Sequence, residues 1–557
     1  MLNKVSESKL HAIRWIIVIG WLLLIFSLFD DRISHNWTDP NNLLSPLRDS
    51  LPPILVQGEY LPEQPYPIAT RVFWGMAIPS AIMILLIFGH ETWRRICPLY
   101  FLSQIPRALG LKPLLNINKN SWLTKNHFYL QFTLLFIGLN SRILFVNSDR
   151  LALATLFITT ILSAITIVFL YGGRSWCHYV CPFGIVQMVF TGPRGLLGSN
   201  AYLAPPRSIT QSMCRTTDKT NGKEISACIG CKSACFDIDA EKAYWQDLQK
   251  PGRRLVQYGY LGLVISYFVY YRLYAGNFDY YFSGAWAHEE NQLSLLWKPG
   301  FYIAERAINI PKIFAVPFTF IVGVIVTYWI CHKIEKLYTA YLKRKYPLIS
   351  SQQILHRIFS LCTFVAFNCF FIYGGRPEIL RLPAVVQLLF NAFVVLVSAF
   401  WLVRTWNRSE EKYNKDSLAH SFRRQIEKLP IDISSYLNQR SLNDLTSDEL
   451  FVLASVLPKF RQKEGFQIYK AIFKDGLVQQ NFTSADSLEA LKEIRSHLGL
   501  NEEEHYSILS ELSSEQPHLL YPNQRQTKVY GTTRKSTQYN HASTQSDLPT
   551  LIRAKRQ

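Results

Sequence analysis

Seven of the ten cysteines fall in three short groups, each beside a long apolar segment. The groups are Cys97-Pro98, then Cys177-x3-Cys181-Pro182, then Cys214 followed by Cys228-x2-Cys231-x3-Cys235. In bacterial ferredoxins, C-x2-C spacing with a proline after the last cysteine of the motif is typical of thiolates that hold 4Fe-4S clusters. The spacing therefore predicts iron–sulfur clusters, which carry single electrons, next to membrane-length segments.

Zinc is the main alternative for grouped cysteines, but the pattern favours iron–sulfur ligation. Structural zinc sites often combine two C-x2-C pairs, whereas this chain has one such pair, Cys228 and Cys231. The other three cysteines, Cys331, Cys362 and Cys369, lie in apolar segments at no ligand spacing. They are expected to pack as small buried side chains.

Seven thiolates are one short of the eight that two 4Fe-4S clusters would take, and two arrangements stay open. One draws a complete cluster from two groups: Cys214, Cys228, Cys231 and Cys181. The other draws it from the third group alone: Cys214, Cys228, Cys231 and Cys235. Cys97 and Cys177 then form an incomplete second site, with Cys235 in the first arrangement and Cys181 in the second. A single cluster is the simpler alternative.

An internal repeat surrounds the first two cysteine groups. Segments Gly89–Gly110 and Gly173–Gly198 each follow an apolar run and contain a Cys-Pro pair. Aligning Cys97 with Cys181 puts Trp93 opposite Cys177, so the first turn lacks one cysteine. The alignment predicts two similar helical hairpins.

Histidines beside these turns are candidates for the missing ligand, namely His90 and His178. Paired histidines on neighbouring helices could also hold a haem, and aromatic residues could line a quinone pocket. The sequence singles out no residue for either of these cofactors. It also has no Gly-rich dinucleotide fingerprint that would predict an NAD or flavin domain.

The stretch WCHYVCPFG, a C-x3-C-P turn that follows an apolar span, resembles the polyferredoxin-like membrane 4Fe-4S proteins. That group includes membrane subunits of periplasmic nitrate reduction, regulators of nitrous-oxide respiration and accessory proteins of cytochrome oxidase. The resemblance covers roughly residues 70–250 and implies membrane hairpins that present cluster ligands. Trp93 departs from the pattern, since a C-x3-C-P turn would have a cysteine there.

Composition and apolar runs predict an all-α, polytopic membrane protein. The 557 residues are 49% hydrophobic and 18% charged, and charged residues make up about 25% of soluble domains. Eight spans are expected: Ala12–Phe29, Val72–Gly89, Phe128–Val146, Leu151–Tyr171, Leu255–Tyr271, Ile313–Cys331, Ile358–Tyr373 and Ala384–Val403. Arg142, near one end of the third, is expected to extend to the lipid headgroups.

Loop charges predict the orientation of these spans. Lys and Arg are concentrated in segments 90–126, 172–254 and 332–355 and are sparse in the alternating loops. By the positive-inside rule, both termini and all three cysteine groups face the cytoplasm, and the protein lies in a bacterial cytoplasmic (inner) membrane. The same distribution accounts for the net charge of +19 without a nucleic-acid partner.

The chain divides into five expected regions. Residues 1–71 form the first span and an external loop, 72–254 the duplicated hairpins with a ferredoxin-like cysteine-rich segment, and 255–404 four further spans. Residues 405–513 are polar with helical periodicity and predict a cytoplasmic helical domain. Residues 514–557 are rich in Gln, Ser, Thr and Arg and predict a disordered tail.

Taken together, these features predict a membrane-bound electron-transfer protein with one or two 4Fe-4S clusters at the cytoplasmic face. Its expected partners are membrane lipid, a cytoplasmic electron donor and a membrane or periplasmic acceptor protein. Two other functions stay open: an accessory factor that reduces a metal during oxidase assembly, and a redox sensor that acts through the helical C-terminal region.

The predicted orientation can be tested with reporter fusions after residues 50, 110, 200, 290, 345 and 410. Cytoplasmic reporters should be active after 110, 200, 345 and 410, and periplasmic reporters after 50 and 290. A periplasmic signal at residue 110 or 200 would contradict the cytoplasmic location of the cysteines.

Overall fold

Helices make up most of the chain in the computed structural model. The structure describes residues 5–520 apart from 48–53, 62–64, 118–119, 148, 199–213, 218–223, 233–234, 288–291, 348, 375–377, most of 429–461, 480–481 and 483–484. In these described residues, the strands pair as antiparallel hairpins: Leu55–Val56 with Glu59–Tyr60, Arg215–Thr217 with Glu224–Ser226, and Pro299–Ile303 with Arg306–Pro311. The mainly helical class predicted from the sequence is confirmed.

Seven helices in the described part of the chain are long and apolar enough to cross a membrane. They are Glu7–Phe29, Ile68–Phe88, Trp122–Val146, Arg150–Tyr171, Lys312–Lys345, Ser351–Tyr373 and Ala384–Trp406. Each contains or overlaps one of the predicted spans, and many of their large apolar side chains are exposed, as contact with lipid requires. By length and composition, these seven helices could cross a membrane.

The eighth predicted span, Leu255–Tyr271, is helical but is not among these seven. It consists of a π-helical turn, Leu255–Gly259, and the helix Tyr260–Ala275, most of whose side chains are buried. Tyrosines reduce its hydropathy, and the other helices cover it. The segment is therefore helical, as predicted, and packs inside the protein; its role as an eighth membrane span stays a prediction.

Arg142 is buried rather than extended toward headgroups, which corrects the expectation for this residue. Only 6% of it is exposed. Its guanidinium lies over the rings of Trp74 at 4.1 Å and Tyr267 at 4.9 Å, and its Nε donates to Asn147 Oδ1 at 3.4 Å. The faces of these two aromatic rings bind the guanidinium in place of the lipid headgroups that were expected to do so.

Short helices and a second helical domain complete the architecture. The short helices are Arg32–Thr38, His90–Ile96, Pro98–Ser103, Ile105–Ala108, Phe183–Thr191, Ala240–Asp247 and Asp279–Phe282. The C-terminal helices are Glu410–Ile426, Gln462–Gln479, Ala485–His497, Glu502–Glu515 and Pro517–Leu520. The first four share their own apolar core. Of the predicted tail, residues 521–557 lie outside the described residues.

The two repeated hairpins exchange their exit segments. Leu86 and Leu170 each lie eleven residues before the cysteine of their Cys-Pro pair. The carbonyl of Leu86 accepts a hydrogen bond from Leu196 N at 2.8 Å, and the carbonyl of Leu170 accepts one from Leu115 N at 2.7 Å. Each exit segment therefore binds the end of the other hairpin's span, so the sequence repeat corresponds to a reciprocal pair in the structure.

This exchange needs a residue without a side chain at Gly195, where an added Cβ would overlap the backbone nitrogen of Gly89. Gly195→Ala should lower the free energy of unfolding by about 1–3 kcal/mol, because backbone atoms must move apart. Gly138→Ala is the control, since no atom lies within 4 Å of its added Cβ. Thermal unfolding in detergent should show a lower midpoint for Gly195→Ala alone; equal midpoints would contradict the packing.

Candidate iron–sulfur site

A β-hairpin brings Cys214 back to the rest of the third cysteine group. Strands Arg215–Thr217 and Glu224–Ser226 pair with Arg215 opposite Ser226. Just beyond them, Ala227 N donates to the carbonyl of Cys214 at 2.8 Å. Cys214 and Cys228 therefore lie side by side at the base of the hairpin, although 13 residues separate them in the chain.

The four thiols of the third group influence one another electrostatically. Burial raises the pKa of the Cys231 thiol to about 12, and the charges of Cys214 and Cys228 act in the same direction. Burial also raises the pKa of Cys235 well above its usual range, with smaller contributions from Asp237, Cys231 and Cys214. These influences link Cys231 and Cys235 to Cys214 and Cys228, which the hairpin brings together.

Cys97, Cys177 and Cys181 form a second thiol neighbourhood. Burial raises the pKa of Cys177 to about 12, and Cys97 adds to the increase. Burial raises the pKa of Cys181 as well, and its largest thiol contributions come from Cys177 and Cys97. All three pack in one cluster with Tyr100. The structure thus groups Cys181 with Cys97 and Cys177, as in the second of the two arrangements.

The burial of these cysteine thiols is consistent with metal binding. A buried thiol resists deprotonation, and a buried thiolate without a partner is costly, whereas metal coordination stabilises the deprotonated form. Both thiol groups consist of sulfur donors on turns with ferredoxin-like spacing. The donor sets therefore fit iron–sulfur clusters, with four thiols in one group and three in the other.

One buried carboxylate, Asp237, connects all three cysteine groups. Arg94 Nη1 donates to Asp237 Oδ1 at 3.0 Å and Arg174 Nη1 to the same oxygen at 3.4 Å. His178 Nε2 lies 3.1 Å from the other oxygen, Oδ2. Burial alone would raise the pKa of Asp237, but the two arginines hold it well below its usual range. The side chains of all four residues are at most 4% exposed.

The partners of Asp237 occupy equivalent positions in the two hairpins. The alignment that pairs Cys97 with Cys181 also pairs Arg94 with His178 and His90 with Arg174. His90 Nε2 contacts the carbonyl of Phe236 at 3.0 Å. Four repeat-related side chains therefore converge on Phe236 and Asp237, which lie between the hairpins.

The two predicted histidine ligands have other partners in the structure. His178 lies between Asp237 and Arg94, whose Nη1 is 3.4 Å from His178 Nδ1, and its Nε2 is 3.6 Å from Cys235 Sγ. Burial lowers the pKa of His178 to about 3 and that of His90 to about 4, so both are neutral at physiological pH. His178, Cys235 and Asp237 place ligand atoms within 4.8 Å of one another. Iron ligation by either histidine stays a prediction.

Arginine and glycine residues support the thiol groups from close by. Arg174 interacts electrostatically with both Cys214 and Cys177, so a single cation faces both groups. Gly173 adopts a φ of +59°, and a Cβ there would lie 3.2 Å from the Cβ of Cys231. The sequence interpretation missed Arg94, Arg174 and Asp237. A usable signal was present, since each arginine lies three residues before a grouped cysteine and Asp237 two residues after one.

The three remaining cysteines lie outside this site. Cys331 and Cys362 are buried on neighbouring helices with their Sγ atoms 4.0 Å apart, and Cys369 is half-buried. Their packing agrees with the prediction that they act as small apolar side chains.

Comparison with known protein families supports the iron–sulfur chemistry. A family model described as a 4Fe-4S binding domain matches residues 153–200, which include Cys177 and Cys181. No curated protein and no solved structure matches the chain. The match covers one hairpin and its Cys-x3-Cys-Pro turn, so it supports an iron–sulfur family of proteins but does not extend to the other cysteines.

Asp237→Asn should destabilise the protein, because it leaves two buried guanidinium groups without their carboxylate. We expect a loss of about 3–5 kcal/mol in the free energy of unfolding and less iron bound per chain. Asp475→Asn is the control, since Asp475 pairs with Arg424 at 24% exposure and should change stability by about 1 kcal/mol or less. Equal unfolding midpoints for the two variants would contradict the role of Asp237.

Proposed function

We propose that this chain is a membrane-bound iron–sulfur electron-transfer protein. The observation that carries the proposal is the group of four neighbouring thiols: Cys214, Cys228, Cys231 and Cys235. These thiols would hold one 4Fe-4S cluster, which supplies reversible one-electron oxidation and reduction. The match to a 4Fe-4S binding domain and the seven membrane-length helices support the same class of protein.

Cys97, Cys177 and Cys181 would hold a second cluster through three thiolates. In the first hairpin, Trp93 occupies the position that Cys177 has in the second, and it packs against Phe183 with ring centroids 5.3 Å apart. The repeat therefore supplies three sulfur ligands rather than four. This second site accounts for the burial of Cys177 and Cys181 in the segment that the family model matches.

The surrounding residues would stabilise the negative charge of the clusters and exclude water. Arg94 and Arg174 place two buried positive charges beside the thiols, and Arg94 Nη2 also donates to the carbonyl of Cys177 at 3.4 Å. Lys232 is buried and pairs with Asp247, with Nζ 3.3 Å from Oδ2. Positive charge in a site of low dielectric favours the reduced, more negative form of a cluster.

The exposed edge of the third group is the proposed entry point for electrons. Cys228 is exposed, and the adjacent Ile229 is 55% exposed. A cytoplasmic donor protein would dock at this edge, and the buried group around Cys177 would pass the electron toward an acceptor in or across the membrane. The basic loops that flank the cysteines support a cytoplasmic location in a bacterial inner membrane.

Iron and acid-labile sulfide analysis of anaerobically purified protein tests the proposal. Two clusters give about eight irons per chain and one cluster about four. Cys231→Ser should lose about four irons together with one EPR signal, because its thiolate is a ligand. Cys331→Ser is the matched control, since Cys231 and Cys331 are both 7% exposed, and it should keep all of its iron.

Cys181→Ser separates the two ligand arrangements. If Cys181 belongs with Cys97 and Cys177, its loss should leave the EPR signal of the third group unchanged. Loss of both signals in Cys181→Ser would favour the arrangement that joins Cys181 to the third group. Unchanged iron content in Cys231→Ser would overturn the proposed ligand set as a whole.

A further inference from the structure

One short helix, Ala240–Asp247, lies between the third cysteine group and the C-terminal helical domain; we refer to it as the linking helix. We propose that the protein has a further function: it reports the state of its iron–sulfur site to the C-terminal domain through this helix. The inference rests on the proposed function, because the signal is the presence and charge of a cluster at the thiols.

The start of the linking helix depends directly on Cys235. The carbonyl of Cys235 accepts hydrogen bonds from Ile238 N at 3.1 Å and Asp239 N at 3.0 Å. Asp239 then caps the helix by accepting from Lys242 N at 3.0 Å. The position of the Cys235 backbone therefore determines where the linking helix begins.

Buried polar contacts join the linking helix to the region after the last membrane-length helix. Arg408 Nε donates to Glu241 Oε1 at 2.8 Å, and the two side chains are 8% and 6% exposed. The hydroxyl of Tyr413 donates to Asp239 Oδ2. Separating a buried ion pair leaves an uncompensated charge. The pairs Arg408–Glu241 and Tyr413–Asp239 are therefore expected to stay together when the helices move, or to break at the same time.

A second connection reinforces the first. The Tyr244 hydroxyl lies 2.9 Å from His356 Nδ1, and His356 Nε2 lies 2.8 Å from the carbonyl of Thr405. Thr405 is in the last turn of the helix Ala384–Trp406, three residues before Arg408. The linking helix therefore contacts Arg408 directly and reaches Thr405 through His356.

The helix Glu410–Ile426, here called the anchor helix, carries this connection into the C-terminal core. Its first turns provide Tyr413 and also Asp416, which binds Arg408 Nη1 at 3.0 Å. Its second half contributes fully buried Leu418, Phe422 and Ile426 to the apolar core of the C-terminal domain. A displacement at the linking helix is therefore transmitted to the domain core along one continuous helix.

The coupling has a physical cause at the thiol end. Metal ligation orders the loop that carries the thiolates, and this ordering is lost with the metal. When the turn at Cys235 loses its order, Asp239 and Glu241 no longer hold Tyr413 and Arg408 in place. The contact between the linking and anchor helices has two states, formed and open. Occupancy of the thiol site by a cluster favours the formed state.

Hydrogen–deuterium exchange of the full-length protein in detergent tests this inference. Iron-loaded protein is compared with protein stripped of iron by an anaerobic chelator. Iron removal should speed exchange at least about tenfold in the linking and anchor helices, while the helix Lys312–Lys345, which lies outside this connection, should change little. Equal exchange of the anchor helix in loaded and stripped protein would overturn the coupling and leave the proposed function intact. Protein purified without iron would overturn both.

Variants of the contact complete the test. Arg408→Gln, or the milder Tyr413→Phe, should retain iron and its EPR signal, yet the anchor helix of the loaded variant should exchange as fast as in stripped wild-type protein. Arg424→Gln is the matched control, because Arg424 lies in the anchor helix but binds Asp475, at 3.0 Å, rather than the linking helix. In this variant, the anchor helix should still exchange faster after iron removal. Slow exchange in both loaded contact variants would overturn the assigned contact.

Discussion

The ion pair network around Asp237 is the interaction on which the site depends. A single carboxylate binds Arg94 from the first cysteine turn and Arg174 and His178 from the second, while Asp237 itself follows Cys235 of the third group. Since every member is buried, loss of one partner leaves a charge without compensation. The three cysteine groups, which are distant in the chain, are therefore linked to one another through this network.

The duplicated hairpins explain how such a network can form. Each hairpin ends its span in a glycine with positive φ, Gly89 at +77° and Gly173 at +59°, and then presents buried polar side chains at equivalent positions. The reciprocal hydrogen bonds at Leu86 and Leu170 hold the two turns against each other. The segment from Cys214 to Asp237 then completes the site between them. The charge of Asp237 complements the positive groups that the repeat supplies twice.

The sequence predicted the helices and the cysteine groups, which depend on local patterns. It did not predict the contacts between residues that are distant in the chain. Apolar runs located seven helices, and cysteine spacing located the groups, because both signals lie within short windows. Asp237 pairs with Arg94 across 143 residues. The positions of these residues beside grouped cysteines were a local signal that each is part of the site, but not that the two form a pair. The environment of Arg142 was missed for a related reason, since the prediction assumed lipid headgroups where the fold supplies the ring of Tyr267. The burial of the helix Tyr260–Ala275 also depends on distant contacts. The packing of Cys181 with Cys177 and Cys97 was likewise visible only in three dimensions.

The repeat lacks a cysteine at one position, and the two thiol groups therefore differ in their number of thiols. Trp93 replaces the cysteine that Cys177 provides in the other hairpin, so the membrane-proximal group has three thiols, all belonging to the repeat. The other group gains four thiols from a segment outside the repeat, one of which, Cys228, is exposed. Under the proposed function, a cluster held by four thiolates at an exposed edge would exchange electrons with a soluble partner, and the buried group would pass them on toward the membrane. The same segment that supplies the four thiols continues into the linking helix, so this group is also the one that is connected through that helix to Arg408 and Tyr413 at the C-terminal domain.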